Sequence, residues 1–353
     1  MKRTGYGKIA EALRREMADG RYRASGMLPP VAELCKRFDA AEYSVRHALH
    51  QLREEGLVSI TKHLGTVATP KAAGIWKGQV LFVHTSTSAA YYAQRLALRL
   101  VRRFEASGWL LHPVFLDANH DGQFDTEPLM RHLAGGLSFA IVLGDSRQIA
   151  ELLDRAAVPY VFLDGSTRDF PNARAVLRTE TAECYAELIA VLKARGVRTL
   201  HEFDFERRLD RSFKSQLAMA GIDVHRTLSQ YENESVHSLG EVRAVGHKAV
   251  MDFLAGTASR AHLPDVILFD DDYLAFGGID ALLEAGLRIP DDVRIVTWSS
   301  KGNEPALGVS LARLENDLDA SADAVSDYVL TLLAGRRRAP PHLKVRFIPG
   351  ESL

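Results

Sequence analysis

Between residues 80 and 298, short and almost uninterrupted apolar runs alternate with segments whose apolar residues recur every three to four positions. The runs at 80–84, 110–116, 139–143, 160–163, 199–203, 266–269 and 294–298 read as strands buried on both faces. The stretches at 94–107, 146–156, 180–195, 209–220, 242–255 and 272–285 read as amphipathic helices. A strand buried on both faces needs cover above and below, and a parallel neighbour is reached only through a crossover, usually helical. Repeated units of this kind predict an α/β fold with parallel sheets and helices on both faces.

The first 69 residues follow a different rule. Ile9, Leu13 and Met17 recur at helical spacing and Gly20 closes the run; Pro29-Pro30 opens a second helix that buries Val31, Leu34 and Cys35. Asp39 and Glu42 have the spacing of a capping box, and Val45, Ala48, Leu49 and Leu52 then form one apolar stripe that stops before Gly56. Residues 57–60 and 66–69 alternate around Lys62-His63-Leu64-Gly65 as a two-stranded wing. The polar face of the third helix carries Tyr43, Ser44, Arg46, His47, His50 and Arg53. This is a helix-turn-helix candidate, because such a helix fits the major groove while cations at its edges neutralise phosphates. A merely solvated helix face remains the alternative.

Charge divides along the same boundary. The whole chain carries 44 Lys+Arg against 45 Asp+Glu. Residues 1–78 hold 14 Lys+Arg against 8 Asp+Glu, leaving 30 against 37 for the rest. A near-neutral total therefore hides a basic module in front of an acidic one. Residues 70–78, with small residues, one proline and two glycines, read as the linker between them. At 353 residues, two or three domains are expected, each large enough to build a core without disulfides. Cys35 and Cys184 are too few for a disulfide framework and lack metal spacing, so no metal and no cofactor is expected. His47 and His50, at i, i+3, are two ligands at most. No run approaches the ~18 apolar residues of a membrane span, and the opening segment has no export-signal centre, so no membrane partner and a cytoplasmic location are expected. Nucleophile-elbow, dinucleotide, phosphate-loop and zinc-protease motifs are absent from the sequence, which gives no catalytic residue and points away from an enzyme.

Tyr6-x-x-Ile9-Ala10, Gly20-Arg-Tyr22, Leu28-Pro29, Glu33-Leu34, the run from Val45-Arg46 through Glu55-Gly56-Leu57-Val58, and Gly65-Thr66 resemble the winged helix of the GntR family of bacterial transcription regulators. The resemblance implies DNA contacts from Tyr43, Ser44, Arg46, His47, His50, Lys62 and His63. Four departures stand out. Pro30 replaces the family's serine and Ala32 its arginine, Ala41-Glu42-Tyr43-Ser44 opens the reading helix, and His63 replaces a wing glycine. Glu42 has two readings, a cap or an acceptor for a cytosine amino group.

Residues 79–353 carry a second resemblance. The stretch from Pro264-Asp265 through Asp271-Asp272 to Gly277, then Gly286 to Pro290-Asp-Asp-Val293, together with Tyr91-Tyr92-Ala93 and the closing Gly350-Glu-Ser352, is similar to the effector domain of LacI/GalR regulators. It implies two periplasmic-binding-protein-like lobes, one about 79–165 with part of 299–340, the other about 166–298 with the C-terminal strand. An effector, sugar or sugar-like, would lie between them at the carboxyl ends of the strands. Position by position, the implied contacts are His84, Thr85, Ser86, Tyr91, Asp145, Asp164, Arg208, Asp271, Trp298 and Ser299. Asp271 also suits a helix cap, and Tyr91 and Trp298 also suit the core. Ser299 stands where the family has an aspartate and Arg208 lies one residue early, so either a ligand other than an ordinary pentose or hexose or no ligand is expected. The combination resembles the arabinose-regulator subgroup of GntR proteins and implies a homodimeric repressor of double-stranded operator DNA. A small-molecule-binding or interaction protein with decayed DNA contacts is the competing reading.

Overall fold

A computed structural model describes residues 5–22, 26–61, 65–69, 76–84, 91–116, 123–134, 136–144, 146–164, 170–204, 211–228, 239–257, 259–303 and 308–353. The chain divides into two units, residues 1–80 with 104–112, and residues 81–103 with 113–353.

Three helices and a hairpin occupy residues 6–68 of the first unit. Helix α1 (Tyr6–Ala18) buries Ile9, Ala10, Leu13 and Met17, while α2 (Val31–Phe38) begins after Pro30 and buries Leu34. Helix α3 (Glu42–Glu54) buries Val45, Ala48, Leu49 and Leu52, the stripe that its sequence spacing predicts. These side chains close one core with Tyr22, Leu28 and Val58. Gly56 ends the helix at φ 71°, where a Cβ would be strained. Strands β1 (Val58–Thr61) and β2 (Gly65–Ala68) then pair antiparallel, Val58 opposite Ala68, and a bridge from Met27 to Val67 extends the hairpin.

The expected capping box does not form. Asp39 adopts a left-handed conformation, φ 45°, and closes α2 by donating its N–H to Cys35 and Lys36 carbonyls. An N-cap needs extended backbone instead, and that place falls to Ala41, which has no side-chain bond to offer.

Residues 79–353 form two sheets. The first runs β4-β3-β5-β6-β7, with β3 (Gln79–His84), β4 (Leu110–Phe115), β5 (Phe139–Leu143), β6 (Tyr160–Leu163) and β7 (Ala173–Leu177). The β5–β6 and β6–β7 pairs are parallel. Its helices are α4 (Tyr91–Ala106), α5 (Glu127–Ala134) and α6 (Arg147–Arg155). Because β7 belongs here, this sheet continues past residue 165, the expected change of lobe.

The second sheet runs β10-β9-β11-β12-β13-β14-β8. It contains β8 (Thr179–Glu180), β9 (Thr199–Asp204), β10 (Asp223–Leu228), β11 (Val266–Phe269), β12 (Arg294–Ser300), β13 (Ala312–Asn316) and β14 (Leu343–Ile348). All its pairs are parallel except β13–β14. Helices α7 (Ala182–Ala194) and α8 (Arg211–Met219) cover the face of Leu200, Leu268 and Val296. Helices α9 (Leu239–Gly256) and α10 (Asp272–Glu284) cover the face of Phe203, Phe269 and Ile295. The last two meet backbone to backbone. A Cβ on Gly277 would stand 1.8 Å from the Arg243 carbonyl oxygen, and one on Gly246 2.2 Å from that of Leu274. Ser352 fastens the chain end, accepting from Ala312 N at 2.9 Å and donating to the Ile295 carbonyl at 2.8 Å.

Two sets of contacts tie the sheets' elements together. Helix α11 (Leu318–Leu333), which follows β13, pairs Asp319 with Arg99 at 2.7 Å and Asp323 with Arg103 at 2.5 Å, both arginines on α4. The chain crosses from β7 to β8 within two residues, beside Asp164. Among the described residues no helix is long and apolar enough to cross a membrane.

Candidate functional site

The solvent side of α3 is the complement of its buried stripe. Glu42, Tyr43, Arg46, His47, His50 and Arg53 are exposed there, and Ser44 is half-buried. Tyr43 is 79% exposed, stacked with His47 at 6.0 Å, while Tyr6 of α1 meets that imidazole edge-on at 4.3 Å. His47 thus contacts two tyrosine rings. The Arg46 Nε donates to Glu42 Oε1 at 2.7 Å, and His50 lies 2.8 Å from an Arg53 nitrogen. Three further arginines serve the fold. Arg14 grips Glu55, and Arg37 and Arg21 converge on Glu16, to which the Tyr22 hydroxyl also donates at 2.5 Å. Charge available to phosphates is thus smaller than the composition suggests. Lys62 and His63 lie outside the described residues.

In the second unit, the expected contacts gather at strand ends but do not all converge. His84 ends β3, buried, with its ring 5.6 Å from that of Phe115. Burial holds its imidazole down at about 4, so it is neutral at pH 7 and brings no positive charge to the strand end. Asp164 follows β6 at φ 52° and is already engaged: Thr179 N donates to Oδ1 at 2.8 Å and Thr179 Oγ1 to Oδ2 at 2.7 Å. Asp271 caps α10 through Oδ1, which accepts from the Tyr273 and Leu274 amides. Burial raises its carboxyl while those amides oppose the rise.

Trp298 and Ser299 are consecutive on β12 and so face opposite sides of the sheet. Trp298 packs on the α7 side, edge-on to Tyr185 at 6.1 Å, with Tyr185 stacked on Phe213 at 4.1 Å. Ser299 is buried on the other side and bonds Asp272. Ser86, Thr85, Asp145 and Arg208 lie outside the described residues, as does the side chain of Tyr91, which opens α4.

Three groups escaped the sequence reading. Asp272, buried, accepts from Ser300 N at 3.1 Å and Asn303 Nδ2 at 3.0 Å, and burial pushes its carboxyl up to about 6. It occupies the space next to Ser299, so a carboxylate does serve this strand end, supplied by α10. Tyr92 bonds Ser321, and its phenol is raised by burial. At the end of β9, buried Glu202 and Asp204 share Arg226 of β10, which pairs with Asp204 and lies 3.6 Å from Glu202. Burial raises Glu202, while Arg226 and Lys214 oppose it. Acidic residues alternating through the strand His201-Glu202-Phe203-Asp204 were the available signal, since a carboxylate within a buried strand needs a partner. The carboxyl edge of this sheet thus carries acceptors for hydroxyl or amine donors beside an aromatic plane. Among the described residues no group of three or more His, Cys, Asp or Glu is placed to hold a metal.

Residues 5–67 match the bacterial regulatory proteins of the gntR family, and residues 189–353 match the periplasmic binding protein-like domain. The chain joins a gntR-family domain to a periplasmic binding protein-like domain. An uncharacterized HTH-type transcriptional regulator of Rhizobium meliloti (strain 1021) is 39% identical over 64 residues, 18% of this chain and 26% of that protein. The HTH-type transcriptional repressor PurR of Escherichia coli is 24% identical over 100 residues, 28% of each. The chain thus spans about a quarter of the length of the curated relatives it matches. Among solved structures, the lac repressor dimer bound to operator and the anti-inducer ONPF aligns with TM-score 0.63 at 17% identity, covering 80% of this chain and 96% of that one. A LacI family regulator from Arthrobacter sp. FB24 in complex with lactose aligns at 0.61 and 18%, covering 78% and 98%. These structures share the fold of about four fifths of this chain.

Proposed function

We propose that this gntR-family domain binds operator DNA through the α3 face, and that a small polar molecule at the carboxyl ends of the parallel strands of the two sheets controls that binding. The protein works as a homodimeric cytoplasmic repressor, so that two α3 helices reach the two halves of an operator. The observation that carries the reading is the α3 face, where Tyr43, Arg46, His47 and His50 stand exposed above a fully apolar buried stripe, within a domain of gntR type. The lac repressor relative bound to operator, and the Arthrobacter relative bound to lactose, support the division of labour. His84, Trp298 and the acids of β9 and α10 suit a ligand with hydroxyl or amine donors and one apolar face. Asp164, spent on Thr179, and Asp271, spent on α10, act by shaping that site. The ligand shifts the balance between two arrangements of the lobes by its difference in affinity for them.

The Glu42–Arg46 pair favours a second reading, an effector-binding protein with weakened DNA contacts. Titrating the full chain and Arg46→Ala onto labelled duplexes from the region upstream of its own reading frame separates the two. Loss of affinity by about tenfold or more in the variant supports the α3 assignment; equal affinity removes it.

A further inference from the structure

We propose that Glu42 is a base-selecting residue that accepts a hydrogen bond from a cytosine amino group, with Arg46 held beside it to donate to a neighbouring guanine. The inference rests on the DNA-binding reading above and adds to it the sequence preference of the operator.

Glu42 is the first residue of α3, and the Glu42 and Arg46 side chains are 64% and 66% exposed. Two duties that a glutamate here ordinarily performs are absent. It is not half of a capping box, because Asp39 closes α2 and the cap of α3 is Ala41. Nor is it buried against another element. Its one polar partner among the described residues is Arg46, whose Nε and Nη2 both lie 2.7 Å from the same oxygen, Oε1. Oε2 accepts from nothing but solvent among those residues.

The first turn of a recognition helix is the part that meets base edges in the major groove. A carboxylate there repels phosphates and weakens every sequence-independent contact. Arg46 offsets part of that penalty through Oε1, and a donor on a base offsets the rest through the open Oε2. Cytosine shows the major groove its N4 amino donor and no strong acceptor. Adenine sets N7 beside its amino group, and guanine and thymine present acceptors that repel a carboxylate. The guanine paired with that cytosine, or one next to it, offers O6 and N7, the acceptors that suit Arg46. The Glu42–Arg46 ion pair thus matches the donor and acceptor order of a C·G step, and it holds the guanidinium over the bases instead of letting it swing to a phosphate.

The test uses the full chain and a duplex pool with a random core, followed by binding measurements on enriched duplexes that differ at single base pairs. Wild type should prefer C·G at one position in each half-site by about 5- to 150-fold over the other pairs. Glu42→Gln should move that preference to A·T, since an amide matches adenine N6 and N7. Glu42→Ala should lose the preference there and bind unrelated duplexes more tightly, because the repulsion of phosphates is gone. Variants whose base preferences equal the wild type's at every position overturn the proposal, even where melting temperature changes, since support of the helix dipole moves stability and not sequence preference. Enrichment of no sequence by the wild type overturns the DNA-binding reading itself.

Discussion

Replacing Asp164 separates a residue that touches ligand from one that fixes the crossover between the two sheets. Its carboxylate accepts from both the amide and the hydroxyl of Thr179, at 2.8 and 2.7 Å, and Thr179 opens β8 just after the chain leaves β7. A bond to an ionised acceptor contributes about 1.5–3 kcal/mol, and two bonds to one residue add less than twice that. The backbone at φ 52° adds a second cost for alanine, of about 1 kcal/mol, which glycine and asparagine avoid. Asp164→Ala should therefore lose about 3–5 kcal/mol and Asp164→Gly about 1 kcal/mol less. Asp164→Asn keeps one acceptor and tolerates the conformation, and should lose about 1–2 kcal/mol. Urea unfolding followed by circular dichroism, at equal protein concentration, gives the order wild type, Asn, Gly, Ala from the midpoints. An Asp164→Ala protein as stable as wild type refutes the bracing role and returns the carboxylate to direct ligand contact.

Two further outcomes follow from the packing and the titration of single residues. Gly277→Ala places a Cβ 1.8 Å from the Arg243 carbonyl, so α9 and α10 must separate; a loss of stability of about 1–3 kcal/mol or more is expected, seen as a fall in melting temperature, and a melting curve unchanged from wild type would disprove the close crossing. His84 binds its proton at about 4 in the folded chain against about 6.5 unfolded, so the unfolded chain takes up the proton first as pH falls. Its contribution is intact above pH 6.5 and lost towards pH 4, amounting to about 3 kcal/mol at full protonation. The Asp272 carboxyl, held near 6, works in the opposite sense over roughly the same window, so the comparison needs His84→Gln, whose stability should fall less between pH 7 and 4.5 than wild type's. Parallel profiles for the two proteins contradict a buried neutral His84.

The parts of the fold that could be read from sequence are those whose burial is continuous or strictly periodic. Strands β5, β6 and β11 are uninterrupted apolar runs, and the α1 and α3 stripes keep helical spacing throughout. Strand β14 was expected only through the resemblance, as a C-terminal strand, because only alternate residues are buried and Lys344 and Arg346 face outwards; β10 is an edge strand with a charged, half-exposed sequence. In α11, Ser321, Ala322 and Ser326 occupy buried positions and dilute the apolar stripe. At the site, strand ends located His84, Asp271 and Trp298, but not what each side chain touches. The Asp164 partner is 15 residues away, and Asp272 bonds residues 28 and 31 positions further on. Such pairings are set by which strand ends and helix starts the topology brings together, which local spacing does not encode. Asp39 shows the converse. Its spacing to Glu42 satisfies a local rule, and closure of α2 overrides it.

The central claim, that the α3 face is a DNA-binding surface, is tested most directly by the salt dependence of wild-type binding to a duplex from the region upstream of its own reading frame. Several arginines of the first unit are committed to Glu16, Glu42 and Glu55, so a dimer should neutralise only about six phosphates, and the logarithm of the association constant should fall with the logarithm of salt concentration at a slope of about −5. Absence of binding at low salt, or binding that salt leaves unchanged, would contradict it.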